Sequence, residues 1–190
     1  MDITNIPLIA AGTGLVGLVI AFMLYMRVNS VKIDNKVVAD ITEEIQDGAM
    51  AFLKAEYRIL GIFVAAVGAL LFMLNGVETT IAFFAGALAS VGAGFSGMRA
   101  ATSANGRTAM AAKSGGQPAA LAVSYNGGAV MGLSVGGLGL LGISLVAWWL
   151  GAGEVSDSGG LNAIEAAAGF GMGASSIALF ARVGGGIYTK

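Results

Sequence analysis

Residues 59–98 read ILGIFVAAVGALLFMLNGVETTIAFFAGALASVGAGFSGM and contain a single charge, Glu78. On either side of Glu78 lie uncharged runs of 19 and 20 residues, bounded by Arg58 and Arg99. About 20 apolar residues in a helix suffice to cross the hydrocarbon core of a bilayer. Because Asn75-Gly76 supplies a turn signal beside Glu78, the stretch predicts two transmembrane helices, at about 59–77 and 79–98, that form a hairpin.

Three further apolar runs extend this pattern to five transmembrane helices. The first covers residues 3–26 and is uncharged. The fourth is placed at about 126–150 within the uncharged stretch 114–153, with Trp148 and Trp149 at a membrane interface. The fifth covers about 164–187 and has Arg182 in its interior. The sequence therefore predicts an all-α polytopic membrane protein, with residues 1–190 forming one transmembrane helical region.

The distribution of charge predicts the orientation of these helices. If five spans alternate in direction, every basic residue falls on one side, which is the cytoplasmic side by the positive-inside rule. The N-terminus is then outside and the C-terminus cytoplasmic. The basic residues are Arg27, Lys32, Lys36, Lys54, Arg58, Arg99, Arg107, Lys113, Arg182 and Lys190, and the outer side holds Asp2, Glu78, Glu154, Asp157 and Glu165.

The composition excludes several classes of function. The chain is 56% hydrophobic before its 31 glycines are counted, whereas soluble domains are about 45–50% apolar with glycine included. Its mean hydropathy is +0.82. Without His or Cys, the 190 residues cannot form a disulfide, a zinc–thiolate site or a Ser-His or Cys-His nucleophile. A net charge of -1 argues against nucleic acid as a partner.

Two glycine motifs resemble catalytic signatures but lie inside predicted membrane helices. Residues 92–97 match G-x-G-x-x-G, and residues 132–136 match G-x-S-x-G. The first motif needs a preceding strand and the second needs a histidine base, so neither predicts an enzyme site. Small residues at four-residue spacing instead predict helix contact faces that belong to a larger bundle. These residues are Ala82, Gly86, Ser90 and Gly94; Gly128, Gly132 and Gly136; and Gly169 and Gly173.

Two charged segments have both a chemical and a structural interpretation. Asp40, Glu43, Glu44 and Asp47 share one helical face that could recruit Mg²⁺. The stripe Ile33, Val37, Ile41 and Ile45 instead favours an amphipathic cytoplasmic helix with a solvated acidic face, so no metal site is assigned. The basic segment 99–113 could attract phosphate, or could reflect only cytoplasmic retention.

Arg182 is the strongest candidate for a functional residue. An ionisable side chain within a membrane helix is costly and usually faces the bundle interior or a wet cavity. The alternative is an arginine that extends to the cytoplasmic interface. The following Gly184-Gly185-Gly186 predicts a local bend or a close backbone approach near this residue.

Five segments together resemble the membrane-integral ion-pumping inorganic pyrophosphatases. The resemblance covers nearly the whole chain and implies the N-terminal portion of a pump that couples pyrophosphate hydrolysis to proton or sodium transport. The segments are IQDGAMAFL (45–53), GMRAAT (97–102), NGRTA (105–109), GGAVMGLSV (127–135) and ALFARVGGGIYTK (178–190).

The resemblance also implies the roles of individual residues. Arg182 corresponds to the arginine of the family's ion gate, and Lys190 to a lysine that contacts pyrophosphate. The family's Mg²⁺ ligands follow that lysine, so no catalytic or metal-binding residue is expected within the 190 residues, and the chain alone is expected to be inactive. Other expectations are K⁺ as a second cofactor, a homodimer when intact, and a multi-pass location in the cell membrane.

Two other classes of function fit the same residues. One is a small transporter or channel subunit that oligomerises through its glycine faces and binds an anion at Arg182. The other is a structural subunit that completes the helical bundle of another membrane protein. The effect of Arg182→Ala distinguishes them, because only the first requires the guanidinium.

Overall fold

The structure is a computed structural model that describes residues 5–149 and 159–188, with side chains described for 5–149 and 165–183. Three helices occupy these ranges: α1 (Ile6–Asn29), α2 (Lys36–Trp149) and α3 (Gly159–Tyr188). The described ranges contain no β-strand, and the predicted all-α class is confirmed. Each helix contains a stretch that is long and apolar enough to cross a membrane.

Two glycines interrupt the long helix α2. Gly76 has φ 83° and ψ -172°, and Gly116 has φ 68° and ψ -163°. Only glycine adopts this region of backbone conformation readily, because a Cβ atom would clash there. The breaks divide α2 into a first segment (36–75), a second segment (77–115) and a third segment (117–149). The break at Gly76 lies in the turn predicted beside Glu78.

The three segments of α2 fold back on one another in antiparallel pairs. Gly68 of the first segment lies against the ring of Phe84 in the second. The second and third segments meet where Gly97 lies against Met131 and where Gly127 lies against Ala104. From Gly97 to Ala104 the second segment runs forward, while the residues it contacts on the third segment run backward from Met131 to Gly127. Gly76 and Gly116 therefore lie at the two hairpin turns.

Helix α1 packs antiparallel to the third segment of α2 at very short range. A Cβ atom added to Gly14 would lie 2.8 Å from the carbonyl oxygen of Gly137 and 2.9 Å from the amide nitrogen of Leu141. Contact this close requires glycine, since an added methyl group would force the two backbones apart.

Helix α3 runs parallel to the second segment. A Cβ atom added to Gly169 would lie 2.7 Å from the carbonyl oxygen of Thr79. One turn further along, Gly173 lies against the carbonyl of Phe83. Ala82 and Phe83 are fully buried at this contact. The predicted small-residue faces around Gly86 and Gly173 are therefore confirmed as helix contacts.

The glycine face predicted on the third segment is different. Gly128, Gly132 and Gly136 have no described atom within 4 Å of an added Cβ. Neighbouring glycines make the contacts instead, with Gly127 against the second segment and Gly137 against α1. The periodicity found a small-residue face, but among the described residues it faces no other helix.

The apolar stripe predicted near the start of α2 is also unpartnered. Val37, Ile41 and Ile45 are exposed, whereas Thr42 is 5% exposed and lies against Gly106. Of the four residues in the stripe, Ile33 alone approaches Gly106. Near its start, the first segment contacts the second segment through Thr42, which lies against Gly106.

Several contacts gather basic segments at one end of the bundle. The hydroxyl of Ser103 donates a hydrogen bond to Asn29 Oδ1 at 2.6 Å, which joins the end of α1 to the second segment. Thr42 meets Gly106 at a similar level. Arg27, Lys36 and Arg107 are close in sequence to these contacts, so their helix ends lie at the same end of the fold.

Candidate functional site

Arg182 lies near the end of the described side chains of α3, on the wall of a cavity of about 650 Å³. The cavity is bounded by α3 and by all three segments of α2. Most of its lining is apolar, including Met131, Leu138 and Phe170. The side chain of Arg182 is exposed at the border of this cavity. Arg182 therefore borders a cavity, and its functional role stays a prediction.

A carboxylate lines the same cavity from the first segment of α2. Both side-chain oxygens of Glu56 are shielded from solvent, and neither has a hydrogen-bond partner among the described residues. Of the described residues lining the cavity, Glu56 and Arg182 are the two with charged side chains. The structure thus brings a carboxylate and a guanidinium to one cavity, although Glu56 and Arg182 are 126 positions apart in the sequence.

Sequence analysis did not identify Glu56 as a candidate. The available signal is helical spacing, because Leu53 and Leu60 lie three residues before and four residues after Glu56. Such residues share one face of a helix. The two leucines are 6% and 3% exposed. Glu56 is half-buried and its carboxylate oxygens are shielded, whereas the neighbouring Lys54 and Arg58 are exposed.

The wall beside Glu56 is fixed by a hydrogen bond between segments. The hydroxyl of Tyr57 donates to the carbonyl oxygen of Val91 at 3.2 Å. Gly94 lies next to this hydroxyl, since an added Cβ would be 3.3 Å from the tyrosine oxygen. Leu60, Ala87 and Ile177 form a buried cluster against which Tyr57 and Val91 pack. The first and second segments and α3 are therefore held together beside the cavity.

The backbone of α3 continues as a helix through Gly184, Gly185 and Gly186 to Tyr188. Positive φ values in the described backbone occur at Gly76 and Gly116, both in α2, so α3 has no break of that kind, and the bend or close approach near Arg182 stays a prediction. Lys190, the predicted pyrophosphate contact, lies outside the described residues.

The predicted basic segment is helical and part of its charge is engaged within the bundle. One guanidinium nitrogen of Arg107, Nη1, donates to the carbonyl oxygen of Ser103 at 2.7 Å and to its hydroxyl at 2.8 Å. Arg107 Nε is buried and has no hydrogen-bond partner in the part of the chain that the structure describes. Arg99 lines a separate cavity of about 500 Å³ beside Tyr25 of α1. The segment therefore presents its cations in different places rather than as one phosphate cradle.

The acidic face at the start of α2 is exposed at Asp40, Glu43, Glu44 and Asp47. Among the described residues, no group of three or more acidic, histidine or cysteine side chains is placed to hold a metal ion. Exposed carboxylates on one helix are typical of a solvated face.

The two catalytic-looking glycine motifs are helical. Residues 92–97 lie within the second segment, where Gly94 and Gly97 contact Tyr57 and Met131. Residues 132–136 lie within the third segment, and Ser134 lines the cavity beside Arg99. Neither stretch forms the loop or sharp turn that its motif requires.

The geometry around Arg182 suits the movement or binding of charge better than covalent chemistry. A guanidinium stays protonated and supplies a fixed positive charge with several hydrogen-bond donors. A nearby shielded carboxylate is stabilised by such a cation, or by taking up a proton or metal ion. Among the residues lining the cavity, the charged groups are these two, and the hydroxyls belong to Tyr57, Ser90 and Ser175.

Comparison with known proteins gives a family match over nearly the whole chain. Residues 15–190 match the model of the family described as inorganic H+ pyrophosphatase. A protein of Clostridium tetani, provisionally named a K(+)-stimulated pyrophosphate-energized sodium pump, is 46% identical over 177 residues. That alignment covers 93% of this chain and 25% of the relative.

Two further relatives have different ion and potassium descriptions. The K(+)-insensitive pyrophosphate-energized proton pump of Methanosarcina mazei is 40% identical over 179 residues, which is 93% of this chain and 25% of the relative. The K(+)-stimulated pyrophosphate-energized sodium pump of Thermotoga maritima is 40% identical over 165 residues, covering 80% of this chain and 22% of the relative. The chain thus spans about a quarter of the length of these curated relatives.

Proposed function

The chain belongs to the inorganic H+ pyrophosphatase family, and from this we propose that it is the N-terminal part of a pyrophosphate-energised proton or sodium pump. The observation that carries the proposal is the match over residues 15–190. Apolar helices and a charged cavity are consistent with it. In the complete pump, Mg²⁺-dependent hydrolysis of pyrophosphate drives an ion across the bilayer.

The proposed topology has five crossings, with the N-terminus outside and the C-terminus in the cytoplasm. The breaks at Gly76 and Gly116 and the antiparallel packing support alternating directions. The hydrogen bond between Ser103 and Asn29 supports placing the basic helix ends on one side. A tag before Met1 is expected to be accessible to external protease in right-side-out vesicles, and a protected tag would contradict this topology.

Arg182 is proposed to act at the ion gate. Its position on the cavity wall supplies a fixed positive charge where α3 and the three segments of α2 meet. Lys190 is proposed to contact pyrophosphate further along the chain, because an ammonium group attracts a multiply charged phosphate anion. Because Arg182 and Lys190 are close in sequence, they would connect the site of pyrophosphate binding with the site of ion movement.

The hydrolytic metal site is proposed to lie outside these 190 residues. The described residues hold no metal-binding group of side chains, and no chemical step is assigned to Mg²⁺ here. We expect the 190 residues alone to be inactive, because phosphoryl transfer depends on metal ions and an oriented nucleophile. Mg²⁺-dependent hydrolysis by the purified chain, above an empty-membrane control, would contradict this.

The complete protein is proposed to be a homodimer in the cell membrane. The relatives are named as proton pumps and sodium pumps, and as both K(+)-stimulated and K(+)-insensitive. K⁺ is therefore a second candidate cofactor, and either H⁺ or Na⁺ fits the family.

The direct test starts from the reading frame beyond the Lys190 codon. The product of the complete frame, reconstituted in proteoliposomes, is expected to hydrolyse pyrophosphate with Mg²⁺ and to transport H⁺ or Na⁺ in proportion. A pH-sensitive dye and ²²Na⁺ uptake distinguish the two ions. Hydrolysis without transport of either ion would reject the pump, and transport without pyrophosphate would favour the channel alternative.

A further inference from the structure

Glu56 lies on the packed face of the first segment but has no partner there. Leu53 and Leu60, on the same face, are buried, and both carboxylate oxygens of Glu56 are shielded without accepting a hydrogen bond from a described residue. A shielded carboxylate is strongly unfavourable unless a cation, a proton or several donors compensate it. This position therefore requires a compensating group.

Two neutral donors, the hydroxyls of Ser90 and Ser175, also line the cavity, but the cations other than Arg182 face elsewhere and the remaining hydroxyl is engaged. The Tyr57 hydroxyl donates to the Val91 carbonyl. Lys54 and Arg58, on the same helix, are exposed, and Arg99 lines the other cavity. Among the described lining residues of the shared cavity, Arg182 is the cation available to Glu56.

The chemistry of the two groups is complementary. A guanidinium presents a fork of donors that matches the two oxygens of a carboxylate, and its long side chain can reach across a cavity. No ion pair within 4.0 Å joins them in the described conformation. The cavity between them, about 650 Å³, gives both side chains room to approach.

We propose that Glu56 is the counter-charge of Arg182, and that it positions the guanidinium of Arg182 during ion transport. The pairing is a contact between the first segment of α2 and α3. The positioning role in transport rests on the proposed pump function. Glu56 is thus a positioning residue that acts through Arg182 rather than on pyrophosphate.

The contact is tested by a double-mutant cycle on the thermal stability of the complete protein in detergent. The variants are Glu56→Gln, Arg182→Gln and the double variant. If the residues pair, the double variant is expected to lower the thermal midpoint by clearly less than the two single changes combined. Additive shifts would overturn the pairing, whether or not the protein pumps.

The role in transport is tested with the same variants in proteoliposomes. Glu56→Gln is expected to lower the ions moved per pyrophosphate by at least about tenfold while hydrolysis stays within about twofold, and the double variant is expected to match Arg182→Gln. Glu56→Asp, which keeps the charge, is expected to recover part of the ratio. Glu78→Gln is the matched control, because Glu78 is an exposed glutamate of the same helix.

The outcomes separate this inference from the pump proposal. An unchanged transport ratio in Glu56→Gln, with a wild type that pumps, would overturn the role of Glu56 and leave the pump proposal intact. A wild type that neither hydrolyses nor transports would reject the pump proposal, while coupled thermal midpoints would still establish the pair.

Discussion

The Ser103 hydroxyl of α2 donates a hydrogen bond to Asn29 Oδ1 of α1 at 2.6 Å and accepts one from Arg107 Nη1 at 2.8 Å. One hydroxyl therefore connects two helices and a cation. Ser103 is 4% exposed, so water cannot easily replace the bonds it makes. The contact holds the end of α1 against the basic part of the second segment.

Ser103→Ala is expected to destabilise the protein by about 1–3 kcal/mol, because it removes the described donor to Asn29 Oδ1 and one of the two described acceptors of Arg107 Nη1. The thermal midpoint in detergent measures the effect. Ser114→Ala is the matched control, since the Ser114 hydroxyl is exposed and bonds only to carbonyls of its own helix among the described residues. Equal shifts for the two variants would show that the contact contributes nothing specific.

Gly86→Ala is expected to lower stability even though alanine favours a helix more than glycine by about 0.5–1 kcal/mol. The added methyl group would meet the carbonyl oxygen of Phe170 on α3, and overpacking of this kind costs about 1–3 kcal/mol. Thermal unfolding in detergent checks the sign of the change.

Gly171→Ala serves as the control for this helix contact. Nothing described lies within 4 Å of a Cβ added to Gly171, so its helix-propensity gain is not opposed within the described bundle. A stabilising effect of Gly86→Ala would mean that α3 does not approach the second segment as closely as described.

Gly76→Ala is expected to cost about 1–3 kcal/mol through backbone conformation alone. No described atom lies within 4 Å of the added Cβ, while the φ of 83° excludes most side chains. Gly61→Ala, in a helical and equally open position, is the comparison. Proteolysis at the turn and thermal unfolding measure both variants, and equal stability would argue against the positive φ at Gly76.

Arg182→Ala distinguishes the three classes of function in the complete protein. For the proposed pump, pyrophosphate-driven ion transport is expected to fall at least about tenfold, equivalent to about 1.4 kcal/mol. Loss of anion flux that never required pyrophosphate would support the channel subunit. A silent change, with a partner protein losing stability when the chain is absent, would support the structural subunit.

The sequence predicted much of the helical architecture because lipid imposes a simple rule on charge. Charges are scarce in the chain, so long uncharged runs identified the helices and Glu78 identified the turn at Gly76. The second break was not singled out, although Gly115-Gly116-Gln117-Pro118 is a turn signal. It lies just after Lys113, inside the uncharged stretch 114–153, which is longer than one crossing needs and so does not by itself locate the turn.

The site was half predicted, and the reason lies in how the charges were used. Arg182 was identified because it interrupts an apolar run. Glu56 was missed because it stands among Lys54 and Arg58, where charge is expected, and only its spacing from Leu53 and Leu60 reveals burial. The cavity joining Glu56 to Arg182 depends on tertiary packing of four helical segments, which residue spacing along one helix does not predict.

The close contact between Gly14 and Gly137 has a consequence for biosynthesis. Residues 15–136 must be made before α1 can meet its partner backbone, which takes on the order of ten seconds at about 5–20 residues per second. During that interval, Gly14 of α1 has lipid, the insertion machinery or the intervening segments as neighbours. Helix α1 therefore leaves the ribosome before the segment that carries Gly137, and its waiting time for this contact is set by translation speed rather than by its own hydrophobicity.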